Sequence, residues 1–348
     1  MSYKRHIINE TSTISAALTI LDELAQDALL FTVGEDNKLT GSVTDGDIRR
    51  GLMKGHSLNS QLKEISFKNT KSIYRDNIQV EDLIALRNAK MRIVPILDSE
   101  NRILDVINFR VQHSILPLEV IIMAGGKGER LRPLTEKTPK PLLKIGEKPI
   151  LEHNLRRFEK FGVHSIDIST NYLSEKIEEY IENNSDSFNT DISILKENSF
   201  MGTIGALALK ENYSMDTILV SNSDLLTDVD YEDFYLDFIK SNADMSVLSI
   251  PYHVDIPYAI MDIKEGFLSE FHEKPRYTYF SNGGIYLLKR ELIDLIPKGE
   301  PFSATDLMQA VIDHKKEIRT YAHEGYWLDI GRHEDYHQAQ KDIKNLQF

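Results

Sequence analysis

The residues of this chain best suited to chemistry gather around a glycine-rich break. From Leu118 to Thr135 the sequence reads LEVIIMAGGKGERLRPLT. An apolar run (Val120, Ile121, Ile122, Met123) stops at Ala124-Gly125-Gly126-Lys127-Gly128, and Glu129, Arg130 and Arg132 follow. Glycines let the backbone turn tightly and bring its N–H groups against an anion. Arg130 adds fixed positive charge, as does Lys140, held between Pro139 and Pro141. These residue types in this order suit the phosphates of a nucleoside triphosphate.

Two carboxylates further along could hold a divalent cation beside such an anion. Asp224 ends the apolar run Ile218-Leu219-Val220-Ser221 in a polar turn, and Asp329 follows Trp327, the only tryptophan, just before Gly331. Mg2+ takes carboxylate oxygens and shares phosphate oxygens. Alone, each Asp reads as a turn former or a cap. As a pair they gain weight. Glu273-Lys274-Pro275 offers a carboxylate for sugar hydroxyls and an ammonium for a second phosphate, although an exposed Glu-Lys pair is commonly only a solvated surface. Asn282-Gly283-Gly284 precedes a strand and permits close backbone approach to a ligand, or else a bulge. Gly202-Thr203-Ile204-Gly205 reads as the opening of a helix that faces a base or a phosphate.

The elements that must position these groups alternate. A short apolar run bounded by glycines is a buried strand of a parallel sheet. Helical spacing over Ile150–Phe158 is followed by a half-buried strand at Ser165–Thr170, a helix around Lys176–Asn183, a strand at Ile192–Leu195, a helix near Ile204–Lys210 and a strand at Thr217–Ser221. Such alternation predicts a doubly wound α/β sheet with ligands beyond the C-terminal strand ends.

Residues 1–115 carry an internal repeat instead. Ile14, Leu18, Leu21 and Ala25 form a helical stripe ahead of Leu29–Val33, an acidic turn and Leu39–Ile48. About 64 positions on, Ile78, Leu83 and Leu86 precede Ile93–Leu97, another acidic turn and Ile103–Asn108. The copies span 1–57 and 58–115, and a third region spans 118–348. The 41% apolar content is that of a globular protein, and 348 residues exceed one ordinary core. No run approaches the roughly 18 uncharged apolar residues of a membrane helix. The formal charge of −13 opposes binding to nucleic acid or anionic lipid, so the basic loop is a local anion site. No cysteine is present and the start has no apolar h-region, so a cytoplasmic protein is expected.

The loop lacks the Gly-x-x-x-x-Gly-Lys-Ser/Thr pattern, and Leu131 stands where a dinucleotide fingerprint needs its third small residue. The 11 histidines show no His-Glu-x-x-His spacing, which removes the common zinc hydrolases. Gly125 through Thr135, followed by Lys140-Pro141, resembles instead the signature of sugar-1-phosphate nucleotidylyltransferases. The resemblance runs from about Leu118 to Gln340 and includes Asp224, Glu273-Lys274-Pro275, Asn282-Gly283-Gly284 and Trp327–Gly331. It implies a Rossmann-like, GT-A-like sheet. It also implies that Ala124, Gly125, Gly126, Gly128, Gly202, Thr203 and Gly205 line the nucleotide. Arg130, Lys140 and Asp224 would be catalytic, Asp224 and Asp329 would hold Mg2+, and Glu273, Lys274, Asn282 and Gly283 would bind the sugar phosphate. One departure is Tyr258-Ala259, where many relatives have Tyr-Gly.

Relatives that transfer thymidylyl or uridylyl groups often carry a base-reading Gln near the position of Gly205. Here Gly202–Leu207 is similar to the Gly-Thr-Ala-Gly-Ala-Leu of guanylyltransferases, which implies GTP. The repeat resembles a CBS-domain pair, a smaller α+β module. In that family Thr44 and Asp47 would bind a regulatory nucleotide. In the second copy Asn108 and Val111 replace that Thr and Asp. CBS pairs fused to such a transferase resemble enzymes of nonulosonic-acid (legionaminic acid) pathways, which implies glucosamine-1-phosphate, with mannose-1-phosphate the alternative sugar. Both modules commonly self-associate, so a homo-oligomer is expected. A non-catalytic nucleotide sensor is the rival from another class, and intact Arg130, Lys140, Asp224 and Asp329 argue against it.

Overall fold

The computed structural model describes residues 3–346. The chain forms two compact units, Met1–Ile115 and Leu116–Phe348.

In the first unit the repeat appears as the same small sheet built twice. Strand β1 (Ile7–Asn9) leads through helix α1 (Ile14–Leu24) to β2 (Leu30–Val33), β3 (Leu39–Val43) and helix α2 (Asp45–Met53). Strand β4 (Ile73–Tyr74), helix α3 (Val80–Asn88), β5 (Ile93–Leu97) and β6 (Ile103–Asn108) repeat the order. In each copy the first two strands are parallel, joined across a helix as a parallel pair requires, and the third returns antiparallel. Helix α1 buries Ile14, Ala17, Leu21 and Leu24; of the expected stripe, Leu18 is half-buried at the edge of this face and Ala25 lies beyond the helix end and is exposed. Phe31 and Val33 from the first copy share a core with Ile93, Leu97 and Ile103 from the second.

The copies differ at their ends. Thr44 and Asp47 form a reciprocal capping box that starts α2. With Val111 in place of the second box residue, no helix follows β6. Asn108 instead accepts from the Arg110 N–H at 3.0 Å and turns the chain out.

The second unit opens with β7 (Glu119–Met123), buried along its whole length. After the glycine-rich loop come a short hairpin, β8 (Lys144–Ile145) and β9 (Lys148–Pro149), then α4 (Ile150–Lys160), β10 (Ser165–Thr170), α5 (Ser174–Asn184), β11 (Asp191–Lys196), β12 (Thr217–Asn222), β13 (Leu225–Thr227) and α6 (Tyr231–Ser241). The rest is β14 (Met245–Asp255), β15 (Ile260–Lys264), β16 (Phe267–His272), β17 (Arg276–Lys289), α7 (Ala304–Asp313), β18 (Ile318–Ala322), β19 (Trp327–Asp329) and α8 (His333–Asp342). The predicted strands and the first two helices are present within a few residues. The helix expected near Ile204–Lys210 is a short 3-10 turn, Gly205–Leu209.

The main sheet has seven strands in the order β11-β10-β7-β12-β17-β14-β18. Strands β10, β7 and β12 are parallel, whereas β17 runs antiparallel between β12 and β14. The chain therefore leaves β7 toward one edge and returns to its other side at β12. This reversal opens a crevice at the C-terminal end of β7.

Strands β14 and β17 are unusually long, 11 and 14 residues. Their inner halves are buried, and their outer halves are exposed along with the whole β15–β16 hairpin. This arm carries Glu273 and Lys274.

Candidate active site

Register brings the glycine loop, Lys140, Asp224 and Asp329 together. Met123 pairs with Asn222 across β7 and β12, so the glycine loop and the turn that holds Asp224 leave the sheet side by side. The Ser223 N–H donates to the Met123 carbonyl at 3.2 Å. Strand β13 then pairs antiparallel with β19, with Leu225 opposite Asp329, and the Ile330 N–H donates to the Asp224 carbonyl at 3.0 Å. Two three-residue strands far apart in sequence thus place the two carboxylates next to each other. Leu131, Leu143, Ile145, Ile150, Leu226 and Ile330 pack together as a support for this corner.

Lys140 is the hub. Its buried ammonium donates to Asp224 Oδ2 and lies 3.8 Å from Asp329 Oδ1. Burial, and then the negative charge of Asp224, push the Asp329 carboxyl up, while Lys140 and Arg130 oppose the shift. The Arg130 guanidinium rests on Gly331, where an added Cβ would come within 3.2 Å of it. Gly128 adopts φ +61°, and a Cβ there would lie 3.0 Å from the Thr135 methyl and 3.2 Å from Lys140 Cβ. That close packing fixes the root of the Lys140 side chain. Thr135 is buried and donates to the Gly128 carbonyl at 2.8 Å, which pins the loop's shape.

Asp224 Oδ1 and Asp329 Oδ1 are buried and accept no hydrogen bond among the described residues. Two adjacent carboxylates with unused oxygens fit a hard divalent cation.

One residue of this corner escaped the sequence reading. Glu197 follows β11, is almost fully buried, and accepts hydrogen bonds from Ser169 Oγ and, at 3.0 Å, from the Met201 N–H. Its carboxylate lies against Gly125, where a Cβ would come within 2.6 Å of Oε1. After Lys196, a Glu reads as surface. Only the fold shows it facing the loop.

The remaining predicted residues are placed as follows. Ala124 and Gly125 are buried, and nothing lies within 4 Å of a Cβ built on Gly126, which faces open space. Gly202 (φ +79°) and Gly205 pack against the backbone near Phe302, and Thr203 Oγ1 accepts from the Ala304 N–H at 2.9 Å. These contacts tie the segment to the start of α7. Gly283 packs against the Leu248 carbonyl and its carbonyl accepts from Trp327 Nε1 at 2.9 Å, while Asn282 Oδ1 accepts from the Gly284 N–H at 2.9 Å. The ladder shifts register here, between Val247 and Ser249, which is a bulge. Glu273 and Lys274 are exposed at the turn between β16 and β17, and their side chains make no hydrogen bond or ion pair among the described residues. In the first unit, Thr44 Oγ1 donates to Asp47 Oδ2 at 2.6 Å, and Arg50 donates to Asp47 Oδ1 at 2.6 Å.

A loop suited to anions, a buried lysine and two paired carboxylates thus meet at the sheet's switch point, an arrangement chemically suited to polyphosphates. Residues 119–345 match the nucleotidyl transferase family, and the chain belongs to it. Among its relatives, the bifunctional protein GlmU of Methanocaldococcus jannaschii is 32% identical over 64% of this chain and 54% of its own length. The mannose-1-phosphate guanyltransferase of Schizosaccharomyces pombe is 29% identical over 63% of this chain and 62% of its own. The chain thus spans less than two thirds of either relative. The solved structure of HddC from Yersinia pseudotuberculosis superposes with a TM-score of 0.51 at 26% identity, covering 65% of this chain and 99% of HddC. HddC has also been solved in complex with GMP-PN. No helix among the described residues is long and apolar enough to cross a membrane.

Proposed function

We propose that this chain is a cytoplasmic guanylyltransferase that moves GMP from GTP onto a sugar-1-phosphate. The observation that carries this is the Lys140–Asp224–Asp329 cluster at the mouth of the glycine loop. A sugar-phosphate oxygen attacks the α-phosphorus of GTP, the bond to the β-phosphate oxygen breaks, and pyrophosphate leaves. The attacking phosphate is already ionised, so no strong general base is needed. The obstacles are alignment and repulsion between two polyanions. Ala124, Gly125, Gly126 and Gly128 present backbone to the triphosphate, and Arg130 and Lys140 offset the charge that grows on the departing pyrophosphate. Asp224 and Asp329 would hold Mg2+, which when bound shields phosphate charge and orients the leaving group.

Two features support guanine. A buried carboxylate such as Glu197 can accept from both N1–H and the 2-amino group of guanine, whereas uracil and thymine flank their single N–H with carbonyls that a carboxylate repels. The guanyltransferase among the relatives and the GMP-PN complex of HddC point the same way. For the sugar we assign glucosamine-1-phosphate, from the resemblance of residues 1–115 to a CBS pair of the legionaminic acid type. Mannose-1-phosphate is the second reading, favoured by the name of the fungal relative. Glu273, Lys274, Asn282 and Gly283 would bind the sugar phosphate, and Gly202, Thr203 and Gly205 would lie along the nucleotide. Thr44 and Asp47 are assigned to a regulatory nucleotide.

Pyrophosphate release from four nucleoside triphosphates crossed with four sugar-1-phosphates tests the reading. GTP with glucosamine-1-phosphate should give the highest kcat/KM. A preference for UTP or dTTP would remove the guanylyl assignment, and a preference for mannose-1-phosphate would replace the sugar.

A further inference from the structure

Just ahead of Lys140, three successive carbonyls of the loop are held by one turn. That turn, Asn171-Tyr172-Leu173, joins β10 to α5. The Tyr172 hydroxyl donates between the Thr135 and Glu136 carbonyls, 3.2 Å from each. Lys176, on the first turn of α5, donates through Nζ to the Lys137 carbonyl. Glu136 and Lys137 are exposed, and water ordinarily satisfies carbonyls in such places. Two side-chain donors committed to three of them therefore fix the course of the chain. The donors also stand on a firm footing. Asn171 Nδ2 donates to the Glu197 carbonyl at 3.0 Å, and the Glu197 N–H donates to the Thr170 carbonyl at 2.8 Å. Between the two donors Leu173 takes φ +52°, in the left-handed region that a side chain disfavours. Such strain persists only where the surroundings impose it, and it gathers at functional sites.

What this clamp fixes is the approach to Lys140. Only Thr138 and Pro139 separate Lys137 from it, and Pro139 and Pro141 each lock their own φ. Little freedom remains between the held carbonyls and the root of the lysine. On the other flank, the bond from Thr135 to the Gly128 carbonyl secures the same segment. An ammonium is a point charge on a flexible four-carbon stem, so it serves a transition state best when its root cannot wander.

We propose that Tyr172 and Lys176 are positioning residues that hold Lys140 for the transfer. This rests on the reading of Lys140 as the group that offsets charge on the departing pyrophosphate. Tyr172→Phe removes only the hydroxyl and should lower kcat about tenfold, with KM for GTP within about twofold of wild type. Lys176→Met should lower kcat about threefold, since the side chain is exposed, and Lys176→Arg, which keeps a donor, should recover most of it. In a Lys140→Met background, Tyr172→Phe should have no further effect, because both losses pass through one ammonium. Tyr180→Phe deletes another α5 hydroxyl, which donates to Glu152 Oε2 at 2.6 Å, and should leave kcat unchanged. Hydrogen exchange reads the clamp without turnover. The Glu136 and Leu142 amides, which donate within the loop at 3.2 and 2.8 Å, should exchange faster in Tyr172→Phe and not in Tyr180→Phe. With an active wild type, unchanged kcat or unchanged exchange in Tyr172→Phe overturns the proposal alone. So does a tenfold loss that persists in the Lys140→Met background. A wild type that releases no pyrophosphate refutes the transferase reading, and the proposal with it.

Discussion

Lys140 carries one positive charge between two carboxylates, and that imbalance governs what substitution does. Asp224→Asn removes one of two like charges and leaves Asp329 paired with Lys140, so the unfolding midpoint should hold or rise. Activity should fall about a hundredfold, the roughly 3 kcal/mol that one preorganised electrostatic contact supplies. Lys140→Met leaves two carboxylates facing each other. It should cost about 2 kcal/mol in urea unfolding, below the full penalty for a broken buried pair because Asp329 is partly exposed. Millimolar Mg2+ should restore part of that loss. A Lys140→Met variant as stable as wild type without Mg2+ would contradict the charge account. Glu197→Gln keeps the shape and exchanges an acceptor for a mixed amide, so kcat/KM should move from GTP toward UTP. Unchanged nucleotide preference would remove Glu197 from base recognition.

At the level of elements, what the sequence disclosed depended on how local the signal was. Strand β7 and its loop were legible because a strand buried on both faces reads as a continuous apolar run closed by glycine. The repeat was legible because its order recurs. The absence of a helix after β6 was not foreseen, although Val111 stands at the position that Asp47, half of the α2 capping box, holds in the first copy. By contrast, Asp224 and Asp329 meet only through the pairing of β13 with β19, and strands of three residues leave little pattern. The Gly202–Leu207 segment read as a helix opening, but contacts with the backbone near Phe302 tighten it to a 3-10 turn. The antiparallel insertion of β17 and the long arm were not foreseen, since neither has a local signature. One element permits a direct test. Thr44→Ala breaks the capping box and should cost the first unit about 1 kcal/mol, and Thr44→Ser should keep most of it. If calorimetry shows nucleotide binding to wild type that Thr44→Ser retains and Thr44→Ala loses, Thr44 serves both roles.

For the whole molecule, the family match and the cluster both lie within Leu116–Phe348, a unit with its own core. A fragment spanning 116–348 should therefore fold and release pyrophosphate, with any response to added nucleotides lost along with residues 1–115. An inactive but folded fragment would make the first unit part of the catalytic apparatus. If Lys140, Asp224 and Asp329 form the centre of a nucleotidyl transfer, the fate of the α-phosphorus reveals it. With GTP labelled at that atom, glucosamine-1-phosphate and Mg2+, the label should appear in a GDP-sugar, with unlabelled pyrophosphate released in equal amount. Asp224→Asn should slow both about a hundredfold. Label that stays in GTP, or transfer that persists undiminished in Asp224→Asn, would contradict the account.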